Sequence, residues 1–156
     1  SPLTDCGEFA TTAPYGTVDQ PFDAVALARS AGATFIARTT TYHASMMDSL
    51  FVKAIEHHGF SVIEVLSQCP TYYGRKNRKG DAVAMMERYR DNTVKVKMDE
   101  NGWVESHRAT ADAPIPIGIF ADREAPEYCD SYAAYVQRQA DQPTDDEAGR
   151  TDGGET

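Results

Sequence analysis

The order of apolar patterns along the chain constrains its fold most. Residues 45–58 place apolar side chains at helical spacing, and residues 60–66 are a nearly continuous run of β-branched and aromatic side chains. A helical pattern at 22–29 and a short strand at 34–38 precede them. Helices that alternate with such strands predict βαβ units, in which parallel strands are covered on both faces. The expected fold class is therefore α/β.

The remaining elements are less regular. Residues 82–89 are expected to form an amphipathic helix, and residues 128–139 a last helix. Alternating side chains before Asn101 and Gly102, with Trp103 and Val104 after them, predict a β-hairpin at the border of the sheet. A final strand at 115–120 is expected at a sheet edge, because prolines precede and interrupt its start.

Composition and charge exclude two classes of partner. The chain has 156 residues and a net charge of −9, which argues against nucleic acid, whose binding needs a clustered basic face. No apolar run approaches the roughly 20 residues that cross a bilayer, so no membrane span is expected. Residues 141–156 carry six acids, one arginine and almost nothing apolar, and are predicted to be a disordered acidic tail. Residues 1–140 are predicted to form one domain.

The cysteines point to a reduced protein with one exceptional thiol. Cys6, Cys69 and Cys129 are odd in number and far apart, which makes a disulfide framework a poor explanation and favours the cytoplasm. Cys129 lies in an expected helix and is predicted to be a small buried side chain. Cys69 follows the strand 60–66 directly, and open α/β sheets bind ligands beyond the carboxyl ends of their strands.

Several separated segments resemble one family. Around the cysteine the chain reads Ser67-Gln68-Cys69-Pro70-Thr71, followed by Tyr73-Gly74-Arg75 and Asn77. Further matching segments, in the same order as in the family, are Ser1-Pro2-Leu3-Thr4, Ala13-Pro14-Tyr15-Gly16, Ala31-Gly32-Ala33-Thr34-Phe35-Ile36-Ala37-Arg38 and Ala121-Asp122-Arg123-Glu124-Ala125-Pro126-Glu127-Tyr128. Together they resemble the β-subunits of 2-oxoacid:ferredoxin oxidoreductases, especially the 2-oxoglutarate branch, over roughly residues 1–135.

The resemblance implies a fold and three cofactors. It implies part of a doubly wound, mostly parallel sheet of the thiamine-diphosphate-binding fold, with the N-terminal half missing, since a Gly-Asp-Gly stretch and a Cys-x-x-Cys are expected before Ser1 and are not in the chain. Ser1 and Thr4 would lie at the end of the loop around thiamine diphosphate and Mg²⁺. Cys69 would be one thiolate ligand of a [4Fe–4S] cluster, which normally takes four.

The resemblance also implies an activity and partners. The complete enzyme would oxidatively decarboxylate a 2-oxoacid, with 2-oxoglutarate favoured, to an acyl-coenzyme A, and would pass the electrons to ferredoxin. The implied partners are an α-subunit, ferredoxin, the 2-oxoacid and coenzyme A. No catalytic acid or base is assigned to this chain, and the segment alone is expected to be inactive.

Two alternatives stay open. One is a fragment of a thiamine-dependent carboligase, which has no reason to place a cysteine at the strand end. The other is a non-catalytic half-domain that acts as an interaction module. Beside Cys69, the tyrosines Tyr72 and Tyr73 and the basic cluster Arg75, Lys76, Arg78 and Lys79 are candidates to line the same crevice, although aromatic residues after a strand are more often packing residues and a run of charges is usually a solvated face. Of the histidines, only His43 lies near an expected strand end.

Overall fold

The computed structural model describes residues 4–106 and 113–141, which separate into two units. The first unit reaches to Ala125 and the second begins at Pro126. The first holds three helices and four strands in this order: α1 (Ala24–Ser30), β1 (Phe35–Thr40), α2 (Ala44–Glu56), β2 (Ser61–Leu66), α3 (Ala82–Asp91), β3 (Thr93–Lys95) and β4 (Ile115–Asp122). The alternation predicted from the apolar patterns is confirmed.

The four strands form one open sheet in the order β2, β1, β4, β3. β1 pairs with β2 in parallel and β3 pairs with β4 in parallel, whereas β1 and β4 are antiparallel. The prediction of a mostly parallel α/β sheet is confirmed. The β1–α2–β2 segment is the predicted βαβ unit.

The core lies on both faces of β1. On one face Ile36 packs with Val25 and Ala28 of α1. On the other face Phe35 and Ala37 pack with Leu50 of α2, because successive strand residues point to opposite faces. The two helices therefore cover opposite sides of the sheet, as a doubly wound fold requires.

β2 differs from the prediction that it is covered on both faces. All six residues of β1 are buried, but every residue of β2 is only half-buried. The reason is position, since β2 lies at one edge of the sheet that the described residues form and β1 has strands on both sides. The continuous apolar run correctly predicted a strand, but the prediction that this strand is fully buried is wrong.

The predicted hairpin around Asn101 and Gly102 is wrong. Val94 pairs in parallel with Pro116 of β4, and Trp103 makes an isolated antiparallel bridge to Ala121. β4 is thus an internal strand and not the predicted edge. Its proline is tolerated because the registered pairing between β1 and β4 begins only at Gly118, so that Pro116 has a ladder partner on one side.

The second unit contains one helix, α4 (Tyr128–Ala140), close to the predicted bounds. Glu127 caps it by accepting hydrogen bonds from the N–H groups of Cys129 (2.7 Å) and Asp130 (3.3 Å). Cys129 is exposed, so the prediction of a buried cysteine is wrong. The predicted tail lies outside the described residues except for Asp141.

Among the described helices, none combines the length and the apolar character that a membrane span needs.

Candidate functional site

A cavity of about 560 Å³ lies beyond the carboxyl end of β2. Most of its lining comes from three parts of the first unit: the segment 4–12, the stretch from Glu64 to Tyr73, and side chains of α3. The position agrees with the expectation that ligands of open α/β sheets bind beyond the strand ends. The cavity is within the usual size of a cofactor or substrate site.

Two of the predicted site residues line this one cavity although they are 65 positions apart. Thr4 is buried, with 5% of its surface exposed, and Cys69 is exposed. The structure thus brings together the residue predicted near the diphosphate and the residue predicted to bind iron. Ser1, the other predicted cofactor contact, lies outside the described residues.

Local packing fixes the direction in which the chain leaves Cys69. The cysteine precedes a π-helical turn at Pro70–Gly74, and the Gly74 N–H donates to the Cys69 carbonyl (2.9 Å). Gly74 is buried against α3, where a Cβ atom would lie 2.6 Å from the sulfur of Met85. A side chain at this position would require the Met85 side chain to shift.

Cys69 fits a cluster as a single ligand and not as a complete set. Its thiol is free and exposed at the cavity, which is what a metal-binding thiolate needs. Within the ranges that the structure describes, no group of three or more His, Cys, Asp or Glu side chains could hold a metal ion. A cubane cluster on Cys69 would need its other thiolates from residues outside these ranges.

Arg38 is a cavity residue that sequence reasoning missed. Its side chain is 3% exposed, with Nη2 3.0 Å from Asp23 Oδ1 and Nε 2.5 Å from Glu64 Oε2. Arg38 and Glu64 are register partners on the parallel strands β1 and β2, so their side chains share one face. The sequence did hold one sign of this ion pair, because each of two neighbouring apolar strands carries one charged residue of opposite sign.

Tyr72 and Tyr73 of the cysteine loop line the cavity. The Tyr73 hydroxyl donates to a carboxylate oxygen of Glu8. The Nζ of Lys76 lies 5.7 Å from the centre of the Tyr72 ring, within the range of a cation–π contact.

The basic cluster of the sequence does not act as one patch. Lys79 lines the cavity and pairs with Glu8, whereas Arg75, Lys76 and Arg78 are exposed and are not among the lining residues. A second cation, which the sequence analysis did not single out, comes from α3: Arg88 is exposed at the cavity and makes no salt bridge with any residue in the described ranges. Burial raises the pKa of its neighbour Tyr89, against the opposing charge of Arg88.

His43 does not line the cavity. It occupies the N-cap position of α2, where its Nδ1 lies 2.9 Å from the Thr40 hydroxyl. Burial and the positive charge of Lys95 lower the pKa of His43. Its side chain makes no capping hydrogen bond; the ring instead contacts Thr40 at the end of β1 and, at 3.5 Å, the Thr93 hydroxyl of β3.

A Thr–His–Asp arrangement also escaped the sequence analysis. His57 Nε2 lies 2.9 Å from the Thr34 hydroxyl, and Nδ1 lies 3.7 Å from Asp122. The same hydroxyl accepts from the Phe60 N–H (3.1 Å), and none of the three side chains lines the cavity. The arrangement joins the end of α2 to the end of the sheet that lies opposite the cavity. It gives no sign of a nucleophile.

The chain is similar to known proteins in both sequence and fold. Residues 3–65, which include Thr4, match the family described as thiamine pyrophosphate enzyme, C-terminal TPP binding domain. The 2-oxoglutarate synthase subunit KorB of Methanothermobacter marburgensis is 38% identical over 144 residues, which are 90% of this chain and 48% of that protein. The β-subunit of a 2-oxoacid:ferredoxin oxidoreductase from Sulfolobus is 32% identical over 80% of this chain and 43% of its own length.

A solved structure shares the fold. It is the 2-oxoglutarate:ferredoxin oxidoreductase from Magnetococcus marinus, determined with 2-oxoglutarate, coenzyme A and succinyl-CoA bound, and it matches with a TM-score of 0.70 at 23% identity over 91% of this chain and 47% of that one. The chain therefore spans about half the length of the relatives that it matches. The resemblance predicted from the sequence is confirmed: over most of its length the chain is similar to subunits of 2-oxoglutarate synthases and of 2-oxoacid:ferredoxin oxidoreductases.

Proposed function

We propose that this chain is the part of a β-subunit that supplies one iron ligand, Cys69, and one wall of a thiamine diphosphate site, with Thr4 and Ser1 at its loop. The complete enzyme would oxidatively decarboxylate a 2-oxoacid, with 2-oxoglutarate favoured, to an acyl-coenzyme A and reduce ferredoxin. The observation that carries the proposal is that Thr4 and Cys69 line the same cavity.

The cofactors carry the chemistry and the chain positions them. Bound thiamine diphosphate with Mg²⁺ supplies the electron sink for decarboxylation, and a [4Fe–4S] cluster supplies the electron path. This chain contributes a buried hydroxyl at Thr4, a free thiol at Cys69 and the cation of Arg88 at the cavity. None of these is proposed as a general acid or base.

The proposed partners follow from the names of the relatives and from the site. The relatives are named as subunits, which supports an α-subunit as the partner of this chain. Ferredoxin, the 2-oxoacid and coenzyme A are its proposed partners in the reaction. Three unpaired cysteines support the cytoplasm as the location.

The experiment is the removal of the Cys69 thiol in the complete β-subunit, purified with its α-subunit. Cys69→Ala should lose the cluster and its iron, because a cubane needs its fourth thiolate. Cys129→Ala is the matched control, since that thiol is exposed on α4 and is not among the residues that line the cavity. Iron that survives Cys69→Ala overturns the ligand assignment, whereas a parent subunit without iron leaves the carboligase and the interaction module as the remaining interpretations.

The substrate is tested separately. The parent enzyme is assayed for ferredoxin reduction with coenzyme A and either 2-oxoglutarate or pyruvate. Faster reduction with 2-oxoglutarate supports the favoured substrate, and faster reduction with pyruvate reassigns it.

A further inference from the structure

One asparagine joins the segment that carries Thr4 to the loop that carries Cys69. Asn77 Oδ1 accepts from the Phe9 N–H (2.7 Å), and Nδ2 donates to the Phe9 carbonyl (2.9 Å) and to the Tyr73 carbonyl (3.0 Å). Two of these three bonds reach across 68 positions of sequence. One side chain therefore fixes the backbone of both segments at once.

A carboxylate makes a second connection between the same segments. Glu8 accepts from the Tyr73 hydroxyl and pairs with the ammonium of Lys79. The side chains of Glu8 and Lys79 are 14% and 18% exposed, so the pair is largely shielded from water. Charge-assisted bonds of this kind are stronger than those between neutral groups. We call this group of four residues the bridge: Glu8, Tyr73, Asn77 and Lys79.

The bridge reaches Cys69 through a hydrogen-bonded turn. The Gly74 N–H donates to the Cys69 carbonyl (2.9 Å), and the Asn77 N–H donates to the Tyr73 carbonyl (2.9 Å). The main chain from Cys69 to Asn77 is thus held at both ends. Loss of the Asn77 side chain would leave Glu8 as the remaining bridge contact between this loop and the segment 4–17.

We infer that the bridge sets the position of Cys69 relative to Thr4, and that Asn77 is a positioning residue for the iron-binding thiolate. The inference rests on the proposed function of Cys69. Residues that orient metal ligands without touching the metal typically change metal affinity by about 10- to 100-fold when they are removed. The bridge should therefore control how firmly the cluster is retained.

The test is made on the complete β-subunit with its α-subunit. The rate of cluster loss to an iron chelator is followed by visible absorbance for the parent and for Asn77→Ala. The variant should lose its cluster about 10-fold faster. Amide hydrogen exchange of residues 4–17, which does not depend on the cluster, should accelerate at Phe9. Asn101→Ala is the matched control, because this asparagine lies in an exposed turn away from the cavity, and it should keep the parent rate.

A second variant, Glu8→Gln, keeps the inference testable if Asn77→Ala does not fold. Glu8→Gln keeps the side-chain volume and one acceptor but removes the charge that Lys79 pairs with, so the cluster should again be lost faster than in the parent. If Asn77→Ala does not fold, the parent rate in Glu8→Gln overturns the inference. A second result would overturn the inference but leave the proposed function intact: Cys69→Ala loses its iron, while Asn77→Ala loses its cluster at the same rate as the parent. A parent subunit without iron, or iron that survives Cys69→Ala, removes both.

Discussion

The guanidinium of Arg38 lies against the carboxylate of Glu64 across two neighbouring parallel strands, with Nε 2.5 Å from Oε2. Both side chains are largely buried, at 3% and 12% exposure, and Asp23 holds the other side of the guanidinium at 3.0 Å. Asp23 is also the N-cap of α1. The ion pairs therefore connect a helix start, a central strand and an edge strand at the wall of the cavity.

Removal of the Glu64 charge should destabilise the fold. Glu64→Gln leaves a buried cation with one carboxylate instead of two, and the loss of one partner from a buried pair costs about 3 kcal/mol. Urea unfolding of the chain, followed by circular dichroism, measures the change. Glu87→Gln is the matched control, because Glu87 pairs with Arg90 at the surface, where both are about half exposed, and such pairs contribute less than about 1 kcal/mol. Equal effects of the two substitutions would contradict the assigned role of Glu64.

The contact between the cysteine loop and α3 gives a second prediction. A Cβ atom at Gly74 would lie 2.6 Å from the Met85 sulfur, so Gly74→Ala should destabilise the chain by about 1 to 3 kcal/mol through overpacking. Met85→Ala makes room at this point. The double variant should therefore lose less free energy of unfolding than the sum of the two single variants. Additive losses in urea unfolding would show that the close contact is not the cause.

The helix and strand pattern of the first unit could be predicted because it depends on local spacing. The apolar periods around α2 and β2 lie within the elements themselves, and Gly59 separates the two. The hairpin failed because Val94 pairs with Pro116, 22 positions away, and nothing in the local pattern reports that choice. A tight turn at Asn101 and Gly102 is compatible both with the predicted hairpin and with the observed pairing of Val94 and Trp103 with β4.

The candidate site was only partly predictable for a similar reason. Cys69 and Thr4 were proposed because residues next to them resemble a family, and Cys69 also because it lies just beyond the end of a strand. Arg38 was missed because its role depends on the register between β1 and β2. The bond between Asn77 and Phe9 joins two irregular segments, for which sequence periodicity gives no signal.

His43 should make stability depend on pH. Its pKa is lowered in the folded chain by burial and by Lys95, so the unfolded chain binds the proton more tightly. Stability is then complete above the unfolded pKa and decreases as the pH falls below it. The loss of thermal stability between about pH 7.5 and about pH 5.5 should be smaller in His43→Gln than in the parent. His58→Gln, at an exposed position on the C-terminal side of α2, is the control and should lose as much as the parent.

Thr4 should contribute to cofactor affinity in the complete β-subunit. Thr4→Val keeps the shape of this buried side chain and removes the hydroxyl that lines the cavity. A hydrogen bond to a charged group contributes about 1.5 to 3 kcal/mol, so the apparent affinity for thiamine diphosphate should fall at least about 10-fold. Thr11→Val is the matched control, because Thr11 also lines the cavity but is exposed to water, which can replace its hydroxyl. Titration of the cofactor by calorimetry measures both variants. An unchanged affinity in Thr4→Val would remove Thr4 from the thiamine site and leave it as a buried residue of the cavity wall.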